Sequence, residues 1–287
     1  MRYVISSAFC GIFSSFRPVF TAPSFENFVA LTCGWILCAG RHTVSGAVRA
    51  ALGYTTTKHF SSLYQFFSRA VWDPDLLGKA LFSLPRAFLR NVILAVIDDT
   101  LCRRTGPHFW GAGMHRDPLR STYRIGTSAG RWFAMAFGHN WVVLSVVVPF
   151  PWNKEKAIAV PVLWRLYRPE KYTPPSQYRK RTELARELIQ IFASWVPSDM
   201  RIHVIGDSKY ACKTILRALP PGVDFTGPVI MLYGQPETNL GPGRPRKKGK
   251  RLLSPKELAD CETVPWRKVK LDIYGNITVL VKEQVGI

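Results

Sequence analysis

Acidic residues are scarce in this chain of 287: 19 Asp and Glu stand against 39 Lys and Arg, a net charge of +20. Such an imbalance points to a polyanionic partner, either nucleic acid or an anionic membrane surface. Long apolar runs are missing too. The longest, Phe28 to Gly40, holds about 13 residues, where a spanning helix needs roughly 20, so no membrane insertion is expected. The opening MRYVISSAFCGIFSSF imitates a secretory signal only faintly, since it has no small-x-small cleavage site and Phe interrupts it. Six cysteines (Cys10, Cys33, Cys38, Cys102, Cys212 and Cys261) form no C-x-x-C. Reduced thiols in a cytosolic protein are the simpler reading than zinc ligands or disulfides. There is no Walker A sequence and no dinucleotide glycine fingerprint. Ser208 lacks a surrounding G-x-S-x-G, so a hydrolase elbow has no support.

What is present is apolar enough to fold. Hydrophobic residues are 47% of the chain and aromatics 13%, which excludes extensive disorder. The basic excess is spread over the whole chain: nine basic residues against three acidic in 1–90, 19 against 10 in 91–232, and 11 against 6 in 233–287. A binding surface drawn from several segments is the simplest explanation. Residues 1–88 read as a helical domain. Phe25 to Ala39, Thr43 to Leu52, Lys58 to Phe67 and Asp75 to Leu84 carry helical apolar spacing, and Trp72-Asp73-Pro74 breaks the last pair. Such helices suit DNA binding, and equally a helical cap. Residues 89–232 change period. Asn91 to Ile97 reads as a buried strand ending at Asp98-Asp99-Thr100. Trp141 to Val148 is a second strand, Arg181 to Trp195 an amphipathic helix, Ile202 to Ile205 a strand, and Ala211 to Leu219 a helix. That order indicates an α/β domain. Residues 233–287 hold a basic loop, then two strands, Lys268 to Ile273 and Ile277 to Val281, around Gly275-Asn276.

The chemistry lies at two strand ends. Asp98 (or Asp99) and Asp207 each follow a buried apolar run. If those strands are neighbours, the carboxylates converge. Paired hard oxygen donors suit Mg²⁺ or Mn²⁺. Two such ions about 4 Å apart activate an attacking water or 3′-hydroxyl and stabilise the leaving oxygen in phosphodiester displacement. The bland alternative is that each Asp merely caps a turn. Adjacent residues of a strand face opposite ways, so Asp98 and Asp99 cannot both serve one site unless the strand has ended.

The run Gly241 to Arg251 holds six basic residues and no acid: Arg244, Arg246, Lys247, Lys248, Lys250 and Arg251. Pro245 keeps Arg244 and Arg246 extended. The core resembles an AT-hook, which inserts Arg into a narrow minor groove. Contact with phosphates alone is the less specific reading. His115, Asp117, Arg120 and His139 lie in polar stretches. They could supply a base or a ligand, but such residues more often tie down loops.

Four stretches together carry a family resemblance: Val96-Ile-Asp-Asp-Thr-Leu-Cys-Arg-Arg104, Gly111 to Leu119, Phe137-Gly-His-Asn-Trp-Val-Val143, and Val204-Ile-Gly-Asp-Ser-Lys-Tyr-Ala211. They resemble the DDE transposases of bacterial insertion sequences, and the likeness extends to Asn27–Ala30, Arg41–Gly46 and Pro265–Val269. The resemblance implies an α/β fold: an RNase H-like nuclease core with an N-terminal helical domain and a basic β-rich insertion. It implies two Mg²⁺ or Mn²⁺ ions, Asp98 as first ligand (Asp99 the weaker choice) and Asp207 as second. It also implies DNA as partner, both element ends and target, a homodimer, and a bacterial cytoplasmic, nucleoid-associated location. The family's third ligand is a helix-borne Glu after the insertion. No acid after Asp207 matches it, so the chain reads as the front of a longer transposase, inactive or very weak alone. The alternative is a non-catalytic DNA-binding form that competes for element ends.

Overall fold

The computed structural model describes residues 7–54, 56, 58–89, 91–106, 108–117, 119–121, 134–228, 233, 249–272 and 276–284. The chain separates into two units, Met1–Ala87 and Phe88–Ile287.

The first unit is helical: α1 (Ser7–Ser14), α2 (Ala22–Leu37), α3 (Val44–Tyr54), α4 (Phe60–Arg69) and α5 (Pro74–Ser83). Local chemistry sets the starts. The Thr43 hydroxyl accepts the Gly46 amide at 3.1 Å before α3. The Asp73 carboxylate accepts the Asp75 amide at 2.8 Å before α5, with Pro74 in the first turn. The His59 ring takes the Ser61 amide at 3.3 Å before α4. Apolar faces of the helices meet at Phe16, Phe20, Leu31, Val48, Leu63 and Phe66. Phe20 stacks on Phe28 with centroids 4.8 Å apart. Where α2 crosses α3, Gly34 is required: a Cβ there would lie 2.2 Å from the Ala47 carbonyl oxygen. Helix α1 falls in the stretch whose apolar character imitates a leader. Its Phe13 packs edge-on to Phe28.

The second unit is built on a mixed sheet. It runs β1 (Val92–Arg103), β2 (Gly113–Arg116), β3 (Met135–Phe150), β4 (Asn153–Tyr167), α6 (Arg181–Trp195), β5 (Arg201–Gly206), α7 (Lys213–Leu216) and β6 (Val223–Thr226). Strand β1 lies between β3, to which it is antiparallel, and β5, to which it is parallel; β6 is parallel to β5. Strands β2 and β4 pair antiparallel with β3. Period-2 alternation buries Ile93, Ala95 and Ile97 of β1, Val142, Leu144 and Val146 of β3, and Ile202 and Val204 of β5. Helix α6 packs on β3 and β4 and buries Leu184, Ala185, Leu188, Ile189 and Phe192. Farther on, α8 (Pro255–Asp260) starts at a Ser254–Glu257 capping box, and β7 (Arg267–Asp272) pairs with β8 (Asn276–Val281) as a separate hairpin. The architecture is the α/β core with a helical N-terminus that the sequence leads one to expect.

Two local expectations need correction, and one strand is not expected from sequence at all. The first strand does not stop at Ile97 but continues through Asp98 and Asp99 to Arg103, because β3 remains beside it, pairing Asp98 with Val143 and Asp99 with Val142. Only its pairing with β5 stops there. The helix over 211–219 is reduced to Lys213–Leu216, since a turn occupies the residues after Asp207 and Pro220 follows. Strand β4 goes unread from sequence because Pro161 interrupts it. In the fold, the register against β3 shifts beside that proline, where the ladder tolerates a missing N–H.

Candidate active site

Parallel register decides which acids meet. Strands β1 and β5 pair from Val92↔Arg201 to Ile97↔Gly206, and the ladder ends there. The next residue on β1 is Asp98, and the next after β5 is Asp207. Neighbouring strands lie about 4.8 Å apart, so the two acids leave the ladder side by side. Gly206 belongs there for packing reasons: a Cβ would come within 2.9 Å of the Phe225 ring and 3.0 Å of Ile97.

Both acids are exposed. Asp98 Oδ1 accepts the Asp99 amide at 2.7 Å. Asp207 Oδ1 accepts the amides of Lys209 at 3.0 Å and Tyr210 at 3.2 Å, closing a turn. Among the described residues, neither Oδ2 has a hydrogen-bond partner.

Asp99 is different. It shares the α6-covered face with Ile97, and both its oxygens are engaged. Oδ1 takes Lys209 Nζ at 2.5 Å and Tyr210 Oη at 3.1 Å. Oδ2 takes Asn140 Nδ2 at 3.0 Å and faces Arg181 Nε at 3.6 Å. Burial pushes the Asp99 carboxyl up, but Lys209, Asn140 and Arg181 outweigh it and hold the group below the ordinary carboxylate range. Tyr210 is fully buried. Burial, then the charges of Asp99, Asp207 and Asp98, push its hydroxyl far above the ordinary range, so it stays protonated and donates. All three acids therefore act on one phenol.

His115, Asp117 and His139 are each tied to neighbouring segments of the second unit. Asp117 is buried, pairs with Arg103, and its Oδ1 accepts the Leu119 amide at 3.1 Å. His139 bridges Arg104 Nε at 3.3 Å and the Trp110 carbonyl at 2.9 Å. Buried His115 meets Arg181 Nη2 at 3.3 Å through Nδ1. Arg181 only donates, so that nitrogen accepts. Arg181 also stacks over Tyr167 at 4.1 Å and donates to Asn140 Oδ1 at 2.9 Å. The sequence reading missed Lys209, Tyr210, Arg181 and Asn140. The only available signal was the nearness of Lys209 and Tyr210 to Asp207.

Of the basic loop, Lys250 and Arg251 are exposed, and Arg251 lies 3.7 Å from Glu257. Arg244, Arg246, Lys247 and Lys248 lie outside the described residues.

The family model for DDE superfamily endonuclease matches residues 15–272. The chain belongs to that family. Among curated proteins none matches it. The family match covers both units, so the helical segment from residue 15 is part of the endonuclease.

DDE superfamily endonucleases act on DNA and generally use divalent metal ions. Asp98 and Asp207 fit such an ion: they are exposed, adjacent, hard oxygen donors with an open oxygen each, and Mg²⁺ is usually bound through one or two carboxylates plus water and phosphate. Asp99 fits less well, because three hydrogen-bond donors and the nearby Arg181 guanidinium already engage both its oxygens. Among the described residues, no group of three or more His, Cys, Asp or Glu is gathered as a metal site. Among them, too, no helix is long and apolar enough to cross a membrane.

Proposed function

We propose that this endonuclease is a transposase that cleaves and joins DNA strands at insertion-sequence ends, with Asp98 and Asp207 as its metal-holding carboxylates. The observation that carries the assignment is the register Ile97↔Gly206, which makes the two acids neighbours. Mg²⁺ or Mn²⁺ supplies activation of the attacking hydroxyl and stabilisation of the leaving oxygen. Asp98 and Asp207 hold the ion at the point where β1 and β5 part. Lys250 and Arg251, with Arg244, Arg246, Lys247 and Lys248, contact DNA phosphates and orient the strand. A homodimer on paired element ends is part of the same proposal.

The reading is tested by nicking of DNA that carries element ends, with Mn²⁺. Cleavage lost in both Asp98→Asn and Asp207→Asn supports it, and cleavage that survives both substitutions overturns it. Among the described residues two carboxylates converge at the site, and on that count slow turnover by the chain alone is expected. Vigorous turnover abolished by Asp207→Ala overturns that part.

The net charge of +20 serves DNA binding with or without cleavage, and so also supports a second reading. Here the chain binds element ends without cutting and competes with an active enzyme. Tight, metal-independent DNA binding with no nicking supports this alternative.

A further inference from the structure

The backbone ladder between β1 and β5 ends at Ile97↔Gly206, one residue before each acid. Backbone pairing brings Asp98 and Asp207 out side by side, but it does not fix the turn that follows Gly206 and carries the Asp207 carboxylate. Side-chain contacts are what tie that turn to β1.

The Asp99 carboxylate is placed to do so. Its Oδ1 holds the side chains of Lys209 at 2.5 Å and Tyr210 at 3.1 Å. The Asp207 carboxylate holds the amides of the same two residues at 3.0 and 3.2 Å. One acid thus grips the turn by its side chains and the other by its backbone. On its other oxygen, Asp99 ties to Asn140 on β3 and to Arg181 at the start of α6. The clamp is rigid because its parts are covered: Tyr210 is fully buried and Asn140 is buried.

We infer that Asp99 is a positioning residue, which acts through Lys209 and Tyr210 to hold Asp207 beside Asp98. This rests on the proposed role of those two acids as metal ligands. It assigns to the second Asp of the Asp98-Asp99 pair a task distinct from ligation. An uncharged side chain at 209 would leave the half-buried Asp99 carboxylate without its nearest cation.

The test is Mn²⁺ binding to the full chain, followed by electron paramagnetic resonance titration, with the melting temperature of each variant measured alongside. Partners that orient metal ligands are typically worth about 10–100-fold in metal affinity. Asp99→Asn and Lys209→Met are each expected to weaken Mn²⁺ binding by at least about tenfold on that scale. The double variant should be no weaker than the worse single, because both break one link. Arg201→Ala, at the exposed pair with Asp224, is the control and leaves binding unchanged. If Asp99→Asn fails to fold, Lys209→Met decides alone. Binding within about twofold of the parent in a folded clamp variant overturns the positioning role, twofold being small beside the effect expected. Asp98→Asn or Asp207→Asn that binds Mn²⁺ normally overturns the ligand assignment instead. Loss of binding in Asp99→Asn with retention in Asp98→Asn makes Asp99 the ligand and overturns both. A parent chain that takes up no Mn²⁺ also overturns both.

Discussion

At the scale of single residues, environment separates groups that look alike in sequence. Asp98 and Asp99 are neighbours with the same side chain, yet strand alternation sends one to solvent and the other among three hydrogen-bond donors and the Arg181 guanidinium. The same rule acts on His115. Burial first, and the charge of Arg181 second, hold its pKa below the ordinary 6.5. The unfolded chain takes up a proton there as pH falls through 6.5, and the folded chain only at lower pH. Below that pH the unfolded state binds more protons, so stability is fully present above 6.5 and is lost as pH falls towards the folded value. His115→Gln should flatten this limb of a plot of stability against pH, measured by urea unfolding. An unchanged slope between pH 6.5 and 5 would show that the ring does not carry it.

At the scale of elements, close approaches set the tolerances. Gly34 lets α2 lie against α3, and Gly34→Ala places a methyl carbon 2.2 Å from the Ala47 carbonyl oxygen and 2.9 Å from the Ala51 nitrogen. Backbone on the far side cannot rotate away as a side chain does, so overpacking of about 1–3 kcal/mol is expected, read as a lowered denaturant midpoint. Asp73→Ala removes the cap of α5 and should cost about 1 kcal/mol. Thermal unfolding followed by circular dichroism checks both. Element boundaries were legible where the apolar period ran unbroken, as for α6, while the helix read over 58–67 lies two residues farther on, at Phe60–Arg69. Boundaries were not legible where a partner strand decides, as for the extension of β1 past Asp98. A strand persists as long as something pairs with it, and the sequence of β1 carries no record of where β3 ends. Strand β4 shows the converse: Pro161 argues locally against a strand, but the register shift beside it accommodates the ring.

At the scale of the whole molecule, charge governs binding. A protein of net charge +20 that binds DNA releases condensed cations from the phosphates it touches. Its affinity should therefore fall linearly on a log–log plot against salt. Substituting Lys250 and Arg251 with Ala should lower that slope by about 1 for each phosphate no longer neutralised, with little change in sequence preference. Fluorescence anisotropy of labelled duplexes at several salt concentrations measures this. A slope unchanged by the substitutions removes these two residues from the interface.

The sequence by itself determined that the partner is polyanionic in character, the α/β nature of the core and the helical first segment, and it offered Asp98 (or Asp99) and Asp207 as candidate acids. These are local or compositional properties: net charge, apolar period, and an Asp at the end of an apolar run. Tertiary structure alone decided that Ile97 pairs with Gly206, and hence that the two acids are neighbours although more than a hundred residues separate them. It also decided that Asp99 is held by Lys209, Tyr210, Asn140 and Arg181, since those groups come from three further segments of the chain. Register between distant strands depends on how the whole apolar face packs under α6, and no short stretch of sequence encodes that.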